Sequence, residues 1–420
     1  MGVLDVTGGR PLSPSVVFEG RTRVRVSESM ERCIVERGLA GPQTPVLLMV
    51  SGGSDSTALA YLATDLHARG ALGPLGILHV NHRLRGADAD ADEEFVRQLA
   101  ALLEIPLFTR PVDVGVLAAE EGGNVEAVAR RERYCAADEA LAELCRRAAM
   151  PVAEGRIFTA HTADDRVESF YMRSIVGTGP GGFRAMRYRN GRVCRPLLEA
   201  GREELRDCLR ERAEAGLPAM RDEFGALWRE DATNAHTDRF RAFVRHEIVP
   251  RAKERNPHLL ATLTRTMNLI ADEDDMLQAQ ADALIEGSVE WISGGGCTAE
   301  APAQGDGDPS DAERGGDGST SEGCVLLPAF GDAPLPLGRR AATQVLQRML
   351  GVDARIEAAS VEAVLAGFGG EGGLEDPLSG IGAPLGGYVA NIQGNLAVSA
   401  NKRGVRIEPM SAFRARRKRG

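Results

Sequence analysis

The sequence predicts an α/β fold, with helices on both faces of a parallel sheet, followed by a mostly helical domain. Between residues 46 and 175, strand-like and helix-like runs alternate through short connections, which is typical of a parallel sheet covered by helices. After residue 198 the sequence changes to Arg- and Glu-rich helical patterns. At 420 residues the chain exceeds the size of one ordinary core, so we expect two or three domains.

The elements of the α/β part follow from their periodicity. The strand-like runs are short and apolar, as in buried parallel strands, and they cover Val46–Val50, Leu75–Val80, Leu107–Val112 and Arg156–Ala160. The helix-like runs cover Ser56–Arg69, Ala89–Leu103, Val125–Ala149 and Ala163–Ile175. Ligands of such sheets bind at the carboxyl ends of the strands. Polar residues that directly follow a strand are therefore the first candidates for a site.

The predicted domain organisation has three parts. Residues 1–40 form an N-terminal extension with only a short helix over Glu28–Arg37, residues 41–200 form the α/β domain, and residues 201–420 form the helical domain. The helices of the last part are expected at about His258–Ile292, Arg339–Leu350 and Ile356–Gly367.

Two segments of the last part differ from it in composition. Residues 293–323 are rich in Gly, Asp, Glu and Ser and have almost nothing to bury, which predicts a disordered acidic insertion. The end of the chain from Lys402 carries eight basic residues and one acidic residue, which predicts a basic tail. Basic patches permit binding of a polyanion even though the net charge is −10.

Composition also excludes several classes of protein. No run of about 18 apolar residues could span a bilayer, and no signal pattern opens the sequence, so we expect a cytoplasmic protein without membrane contact. The seven cysteines are scattered, without Cys-x-x-Cys or Cys/His ligand spacing. This pattern predicts reduced thiols rather than a disulfide framework or a zinc site.

The most informative motif is the loop Ser51-Gly52-Gly53-Ser54-Asp55-Ser56, between the first strand and its helix. Glycines let the backbone approach a phosphate, and the N–H groups and dipole of the helix N-terminus favour an anion. The loop lacks the lysine of a Walker A motif. The alternative is an ordinary glycine-rich turn.

Further polar blocks lie along the α/β part, and those at His79 and His161 directly follow strands. They are His79-Val80-Asn81-His82, Glu126–Tyr134, His161–Ser169 and Gly177–Phe183. Each has a structural alternative: Asp164 and Asp165 could cap a helix, Arg130 and Arg133 could lie on a solvated helix face, and the histidines could be hydrogen-bonded loop residues.

The loop resembles the pyrophosphate (PP) loop of ATP pyrophosphatases, which implies an adenine-nucleotide α-hydrolase-like fold. Together with the other blocks, and with Arg241–Pro250 downstream, it resembles the tRNA(Ile)-lysidine synthetase family over about 200 residues in the correct order. Departures include Thr162, Arg166 and Ala242.

The resemblance implies a ligase that uses ATP and Mg²⁺. The C2 oxygen of the wobble cytidine of tRNA(Ile) with a CAU anticodon is adenylated, and the ε-amine of free lysine then displaces AMP. Alternatives are a tRNA-thiolating enzyme of the same superfamily, an amide-forming synthetase, and a non-catalytic tRNA-binding protein. A homodimer is left open.

Residue roles are carried over to matching positions. The predicted catalytic residues are Asp55, Asp165, Glu168 and Arg130. ATP would be bound by Ser51, Gly52, Gly53, Ser54, Asp55, Ser56, His79 and His161. Lysine would be bound by Asp165 and Glu168, Mg²⁺ by Asp55 and Asp164, and tRNA by Arg133, Arg195, Arg241 and Arg245.

Overall fold

The computed structural model describes residues 14–83, 86–230, 239–292, 323–351, 354–369 and 380–419. The chain divides into two compact units, Met1–Asn268 and Leu269–Gly420. The predicted acidic insertion lies outside the described residues, apart from Gly323. No helix in the described part of the chain is long and apolar enough to cross a membrane.

The first unit contains a six-stranded sheet in the order β3-β2-β1-β4-β6-β5. Its strands are β1 (Val46–Met49), β2 (Leu75–Asn81), β3 (Leu107–Pro111), β4 (Arg156–Phe158), β5 (Arg189–Asn190) and β6 (Val193–Cys194). All neighbours pair in parallel except β5, which is antiparallel to β6 at one edge. The four predicted strands and their parallel arrangement are confirmed. The two-residue strands β5 and β6 are too short to show a sequence period.

Helices cover both faces of this sheet. They are α1 (Pro14–Glu36), α2 (Ser54–Ala68), α3 (Ala87–Leu102), α4 (Val114–Glu121), α5 (Val125–Arg147), α6 (Ala163–Val176) and α7 (Arg202–Glu214), then α8 (Arg239–Phe243) and α9 (Val249–Arg255) around a π-turn, Val244–Ile248. Successive residues of β1 enter opposite cores, because side chains alternate along a strand. Leu48 packs in a cluster with Leu59 of α2, whereas Leu47 packs with Leu141 of α5.

Two features of the first unit differ from the sequence prediction. Helix α1 is longer than the short helix expected over Glu28–Arg37, and it buries Val26, Met30 and Cys33 at helical spacing. Its first half carries no such apolar stripe in the sequence. The unit also continues past the predicted boundary at residue 200, because Leu205 of α7 is buried in the same core as β1.

The second unit contains a five-stranded antiparallel sheet in the order β7-β8-β11-β10-β9. Its strands are β7 (Val289–Ile292), β8 (Gly323–Leu326), β9 (Val389–Ile392), β10 (Leu396–Asn401) and β11 (Gly404–Pro409). Its helices are α10 (Leu259–Ser288, from residue 269 onward), α11 (Leu335–Leu350), α12 (Ala358–Ala366) and α13 (Met410–Arg419).

The predicted helices of this region are confirmed, whereas the sequence did not locate the sheet. Helix α10 was expected to reach Ile292 but ends at Ser288, where the chain enters β7. The predicted basic tail contains β11 and α13. Within it, the buried carboxylate of Glu408 accepts hydrogen bonds from Arg406 and Arg416.

Candidate active site

The PP-loop connects β1 to α2, and its peptide planes are fixed from outside the loop. Gly52 has a φ of +94°, which favours glycine. Its carbonyl accepts hydrogen bonds from Thr57 Oγ1 at 3.1 Å and from the main-chain N–H of Arg229 at 2.9 Å. In a planar trans peptide the N–H of Gly53 points opposite to that carbonyl. The first N–H groups of α2 have no intrahelical acceptor, so the loop and the helix N-terminus together offer donors to an anion.

The hydroxyl of Ser56 fixes the other side of the loop. It donates to the carbonyl of Gly53 at 3.1 Å and lies 3.2 Å from the main-chain nitrogen of Ser51, which donates to it. The hydroxyl of Ser51 also lies within 3.2 Å of it. Ser51, Gly53 and Ser56 thus belong to one hydrogen-bonded turn.

Asp55, in the first turn of α2, faces the guanidinium of Arg202. The Nε of Arg202 donates to Asp55 Oδ2 at 3.2 Å, and the hydroxyl of Ser54 donates to Oδ1 at 3.0 Å. Burial raises the pKa of Asp55, and the positive charge of Arg202 opposes that rise. Arg202 is therefore the ion-pair partner of the PP-loop carboxylate.

The same guanidinium also contacts the first turns of α6. Its Nη2 donates to Asp165 Oδ1 at 3.1 Å, and its Nη1 lies 3.7 Å from Glu168 Oε1. Burial by itself would raise the pKa of Asp165, but Arg202 and other nearby cations hold it below its usual value. One arginine therefore joins the carboxylate of the PP-loop to the two carboxylates predicted to bind lysine.

Helix capping accounts for the other contacts of the two aspartates. Asp165 Oδ2 accepts from the main-chain N–H of Thr162 at 2.8 Å, which forms a capping box at the start of α6. Asp164 Oδ2 accepts from the main-chain N–H of Arg202 at 2.7 Å, and Oδ1 accepts from Lys253 Nζ at 2.7 Å. The helix-capping alternative is thus correct for one oxygen of Asp165. Asp164 instead accepts a hydrogen bond from the first main-chain N–H of α7.

Arg241 and Arg245 approach the same carboxylates from α8 and the π-turn. Arg245 binds Glu168 with two hydrogen bonds of 2.7 and 2.9 Å, and Arg241 Nε adds a third at 3.1 Å. Arg241 also donates to Asp165 Oδ1 at 3.4 Å. Spacing of i and i+4 places both arginines on one side of the helix. Although predicted as tRNA contacts, both side chains lie in the acidic pocket, which we define as Asp165 and Glu168 with Arg202, Arg241 and Arg245.

The predicted histidines lie around these groups. His79 is buried, and its Nδ1 donates to the carbonyl of Val50, the residue before the PP-loop, at 2.9 Å. His161 Nδ1 lies 2.9 Å from Thr159 Oγ1. Loss of hydration, together with the charge of Arg195, lowers the pKa of His161 to about 4, so its ring is neutral at pH 7.

The remaining predicted arginines occupy different places. Arg133 donates to His82 Nε2 at 3.2 Å, and Arg130 stacks on Tyr134 and lies close enough to His161 to lower its pKa. Arg195 is buried, and it donates to the carbonyl of Arg187 at 2.9 Å. Arg130 and Arg195 therefore both lie near His161.

Comparison with known proteins agrees with this geometry. A family model described as a PP-loop domain matches residues 24–252, which is more than half of the chain. The chain is 33% identical over 271 residues to a protein of Chlorobaculum tepidum named tRNA(Ile)-lysidine synthase, and it covers 73% of that protein. The chain belongs to the tRNA(Ile)-lysidine synthase family of PP-loop proteins.

Other matches cover less of the relative. A family member from Thermus thermophilus is 38% identical over 242 residues, which are 58% of this chain and 42% of that protein. The chain thus spans less than half the length of this relative. Among solved structures, a U34-tRNA thiolase of Methanococcus maripaludis aligns with a TM-score of 0.44 and 12% identity, over 60% of this chain and 80% of that one.

Sequence reasoning missed three residues of this candidate site. Arg202 and Lys253 contact the acidic residues, and Arg229 contacts Gly52 of the PP-loop. Arg229 is held by Asp92 at 2.9 Å and by Asp222 at 3.4 Å. Arg202 is the first residue of α7, which the sequence prediction places in the helical domain. No local sequence pattern therefore indicates that its side chain contacts residues at the edge of the sheet.

Proposed function

We propose that the chain catalyses the ATP-dependent ligation of free lysine to C2 of the wobble cytidine of tRNA(Ile) with a CAU anticodon, giving lysidine, AMP and pyrophosphate. The observation that carries this proposal is the acidic pocket beside the PP-loop. The loop proposed to bind the phosphates of ATP and the two carboxylates proposed to bind an ammonium are joined through the single side chain of Arg202. An enzyme that activates one substrate and then attaches an amine needs both.

The first step would take place at the PP-loop. The C2 oxygen of the cytidine attacks the α-phosphorus of ATP, and pyrophosphate leaves. The amides of Gly53 and of the α2 N-terminus would bind the leaving pyrophosphate, because they are free donors at the positive end of a helix dipole. Ser51 would add a hydroxyl donor, whereas the hydroxyls of Ser54 and Ser56 already donate to Asp55 and to the Gly53 carbonyl and would shape the loop. Arg130 would face the phosphates from α5.

Asp55 would hold a Mg²⁺ ion, which would supply positive charge beside the phosphates of ATP. Magnesium sites at phosphates commonly use one or two carboxylates plus the phosphate oxygens, so no larger protein cage is needed. In the described part of the chain, no three His, Cys, Asp or Glu side chains form a metal-binding group. Both oxygens of Asp164 are engaged by Lys253 and by the start of α7. Both oxygens of Asp55 are likewise engaged, by Arg202 and by Ser54. We keep Asp55, in the first turn of the helix that follows the PP-loop, as the principal metal ligand and Asp164 as the second candidate. The bound ion would neutralise charge that develops on the pyrophosphate.

The second step would use Asp165 and Glu168. Two carboxylates at i and i+3 of α6 can hold one ammonium and would discriminate lysine from uncharged amino acids. The ε-amine must lose its proton before it attacks C2 and displaces AMP.

Binding of the tRNA would rest on Arg133, Arg241 and Arg245, with the basic segment that contains α13. Contacts between arginines and phosphates release counterions, so the affinity should fall steeply as salt is raised. A homodimer and a cytoplasmic location stay predictions.

The decisive experiment is incorporation of radiolabelled lysine into an unmodified tRNA(Ile) transcript with a CAU anticodon, with ATP and Mg²⁺ present. We expect labelling that depends on ATP and is absent for the methionine tRNA with the same anticodon. Pyrophosphate release without labelling would point to another nucleophile, such as sulfur in a thiolating enzyme. Neither signal from folded protein would favour a non-catalytic tRNA-binding protein.

A further inference from the structure

Guanidinium groups already occupy the carboxylates proposed to hold lysine. Glu168 is 2% exposed, and its two oxygens accept three hydrogen bonds from Arg241 and Arg245. Asp165 uses one oxygen for the capping box and the other for Arg202 and Arg241. A carboxylate offers about four acceptor positions, so little capacity is left for the three donors of an ammonium.

The balance of charge in the acidic pocket, counted together with its neighbours Asp55, Asp164 and Lys253, also argues against an added cation. Four carboxylates, Asp55, Asp164, Asp165 and Glu168, are paired within 4 Å with four cations, Arg202, Arg241, Arg245 and Lys253. An added lysine ammonium would make five cations against four carboxylates in a poorly hydrated site, where like-charge repulsion is strong. Lysine therefore has to exchange places with one of the resident guanidinium groups.

The arginines differ in the backbone elements that carry them. The main-chain N–H of Arg202 is bound by Asp164, and its side chain bridges Asp55 to the pocket. Arg241 and Arg245 instead lie at the junction of α8 and the π-turn Val244–Ile248. Pro250 has no N–H for the carbonyl four residues earlier, which explains a wide turn at this point. π-turns are frequent at functional sites, and a local return to α-helical spacing would re-aim these side chains.

An RNA phosphate is the partner that best fits the exchange. A guanidinium binds phosphate with the same two-pronged geometry that Arg245 uses on Glu168. The Arg241 and Arg245 side chains are 31% and 23% exposed, so both can be reached from solvent. Withdrawal of these two cations would leave Asp165 and Glu168 with Arg202 alone, and the pocket would regain negative charge for an ammonium.

We propose that Arg241 and Arg245 are specificity-determining residues that make lysine binding conditional on tRNA. In the free protein they occupy the position of the lysine ammonium, and tRNA phosphates draw them away so that lysine enters only beside a bound tRNA. This inference rests on the proposed function, since it assumes that Asp165 and Glu168 hold lysine. Linkage then requires that lysine and tRNA strengthen each other's binding by the same factor.

The test is calorimetric titration of L-lysine into the full chain, without ATP, in the absence and presence of saturating tRNA(Ile) transcript with a CAU anticodon. We expect the Kd for lysine to fall by about 10-fold or more when tRNA is bound, within the usual range of coupling between two sites. A Kd that is the same in both conditions would overturn the inference.

Substitutions of Arg245 distinguish an effect of its positive charge from an effect of its packing. Arg245→Gln should bind lysine more tightly than the unaltered protein without tRNA, and tRNA should then have little further effect. Arg245→Lys keeps the positive charge and should keep the tRNA dependence. Arg210→Gln is the control, because Arg210 is an exposed arginine of α7 that pairs with Asp207 on the surface. Weaker lysine binding by a folded Arg245→Gln protein would contradict the inference, since a purely structural role predicts a loss and not a gain.

The same titrations distinguish failure of this inference from failure of the proposed function. If lysine binds equally well to all forms, the pocket holds lysine but the arginines do not control it. If lysine binds none of the forms while ATP still binds, the assignment of the pocket to lysine is wrong, and the proposed function fails with the inference. Thermal unfolding followed by circular dichroism shows that each variant is folded.

Discussion

The PP-loop and the acidic pocket meet at Arg202 but are prepared for their ligands in different ways. In the loop, protein contacts are made by the carbonyls of Gly52 and Gly53, which leaves the N-terminal amides of α2 for an anion. In the pocket, protein cations contact the carboxylates themselves. The loop is thus preorganised for an anion, whereas under the proposed function the pocket would have to give up an internal partner before it could take lysine.

This difference predicts separate effects on the two half-reactions. Changes at the PP-loop should act on adenylation, and changes in the pocket should act on lysine binding and transfer. Arg202, which contacts both regions, should affect both. The predictions below test that separation, in decreasing order of the expected effect.

Asp55→Ala should have the largest effect. It removes the carboxylate proposed to hold Mg²⁺ against the phosphates, and it leaves the guanidinium of Arg202 without its partner in the loop. We expect adenylation, followed by ATP–pyrophosphate exchange in the presence of tRNA, to fall by about 10³-fold or more, as for loss of a principal electrostatic contact. Exchange within 10-fold of the unaltered rate would remove Asp55 from the mechanism.

Much of the loop could be predicted from the sequence because its signals are local. A buried strand, two glycines and a helix start lie within about a dozen residues, and their order fixes where Asp55 and the amides lie. The parallel direction of β1, β2 and β4 also follows from the alternation of strands and helices, whereas the position of β4 beside β1 does not.

The pocket could be predicted only in part because it depends on distant residues. Asp165 and Glu168 have the spacing of one helix face, but Arg202 lies about 35 residues later in the chain and Arg245 almost 80 later. A charged residue in an Arg-rich helix looks like solvated surface in the sequence. Burial of Arg166 shows the same limit: it is fully buried and donates to Tyr188 and Asn268, far along the chain.

Glu168→Gln should have the second-largest effect, confined to the pocket. The substitution keeps the shape of the side chain but removes the charge that attracts an ammonium. We expect kcat/KM for lysine to fall by about 10²-fold, in line with the loss of one partner of a buried charge pair. Exchange of ATP and pyrophosphate should change much less. Equal loss in both assays would contradict the separate roles of loop and pocket.

Arg202→Gln should affect both half-reactions more evenly. The guanidinium contacts Asp55, Asp165 and Glu168, so its removal loosens the loop carboxylate and brings unpaired negative charge to the pocket. We expect a fall of about 10- to 30-fold in adenylation, together with a changed KM for lysine. Measurement of both parameters on one preparation gives the answer.

Arg202→Lys provides the matching control for charge. An ammonium retains the positive charge but not the planar fork that reaches separate carboxylates, so recovery should be incomplete. Full recovery would show that only the charge of Arg202 is needed. An effect on one half-reaction alone would mean that Arg202 belongs to one region and does not connect the two.

Thr57→Val should have the smallest effect, and it tests how the loop is preorganised. The hydroxyl of Thr57 donates to the carbonyl of Gly52, and this side chain is fully buried. Valine is close in shape but lacks the hydroxyl, so the Gly52 carbonyl keeps only the main-chain N–H of Arg229. We expect the KM for ATP to rise by about 5-fold, the value of one net hydrogen bond, with the KM for lysine unchanged.

Thr57→Ser restores the donor and should return the KM for ATP toward its original value. If serine and valine gave the same KM, the hydroxyl would not hold the Gly52–Gly53 peptide, and the order of the loop would have to come from the glycine backbone and Arg229.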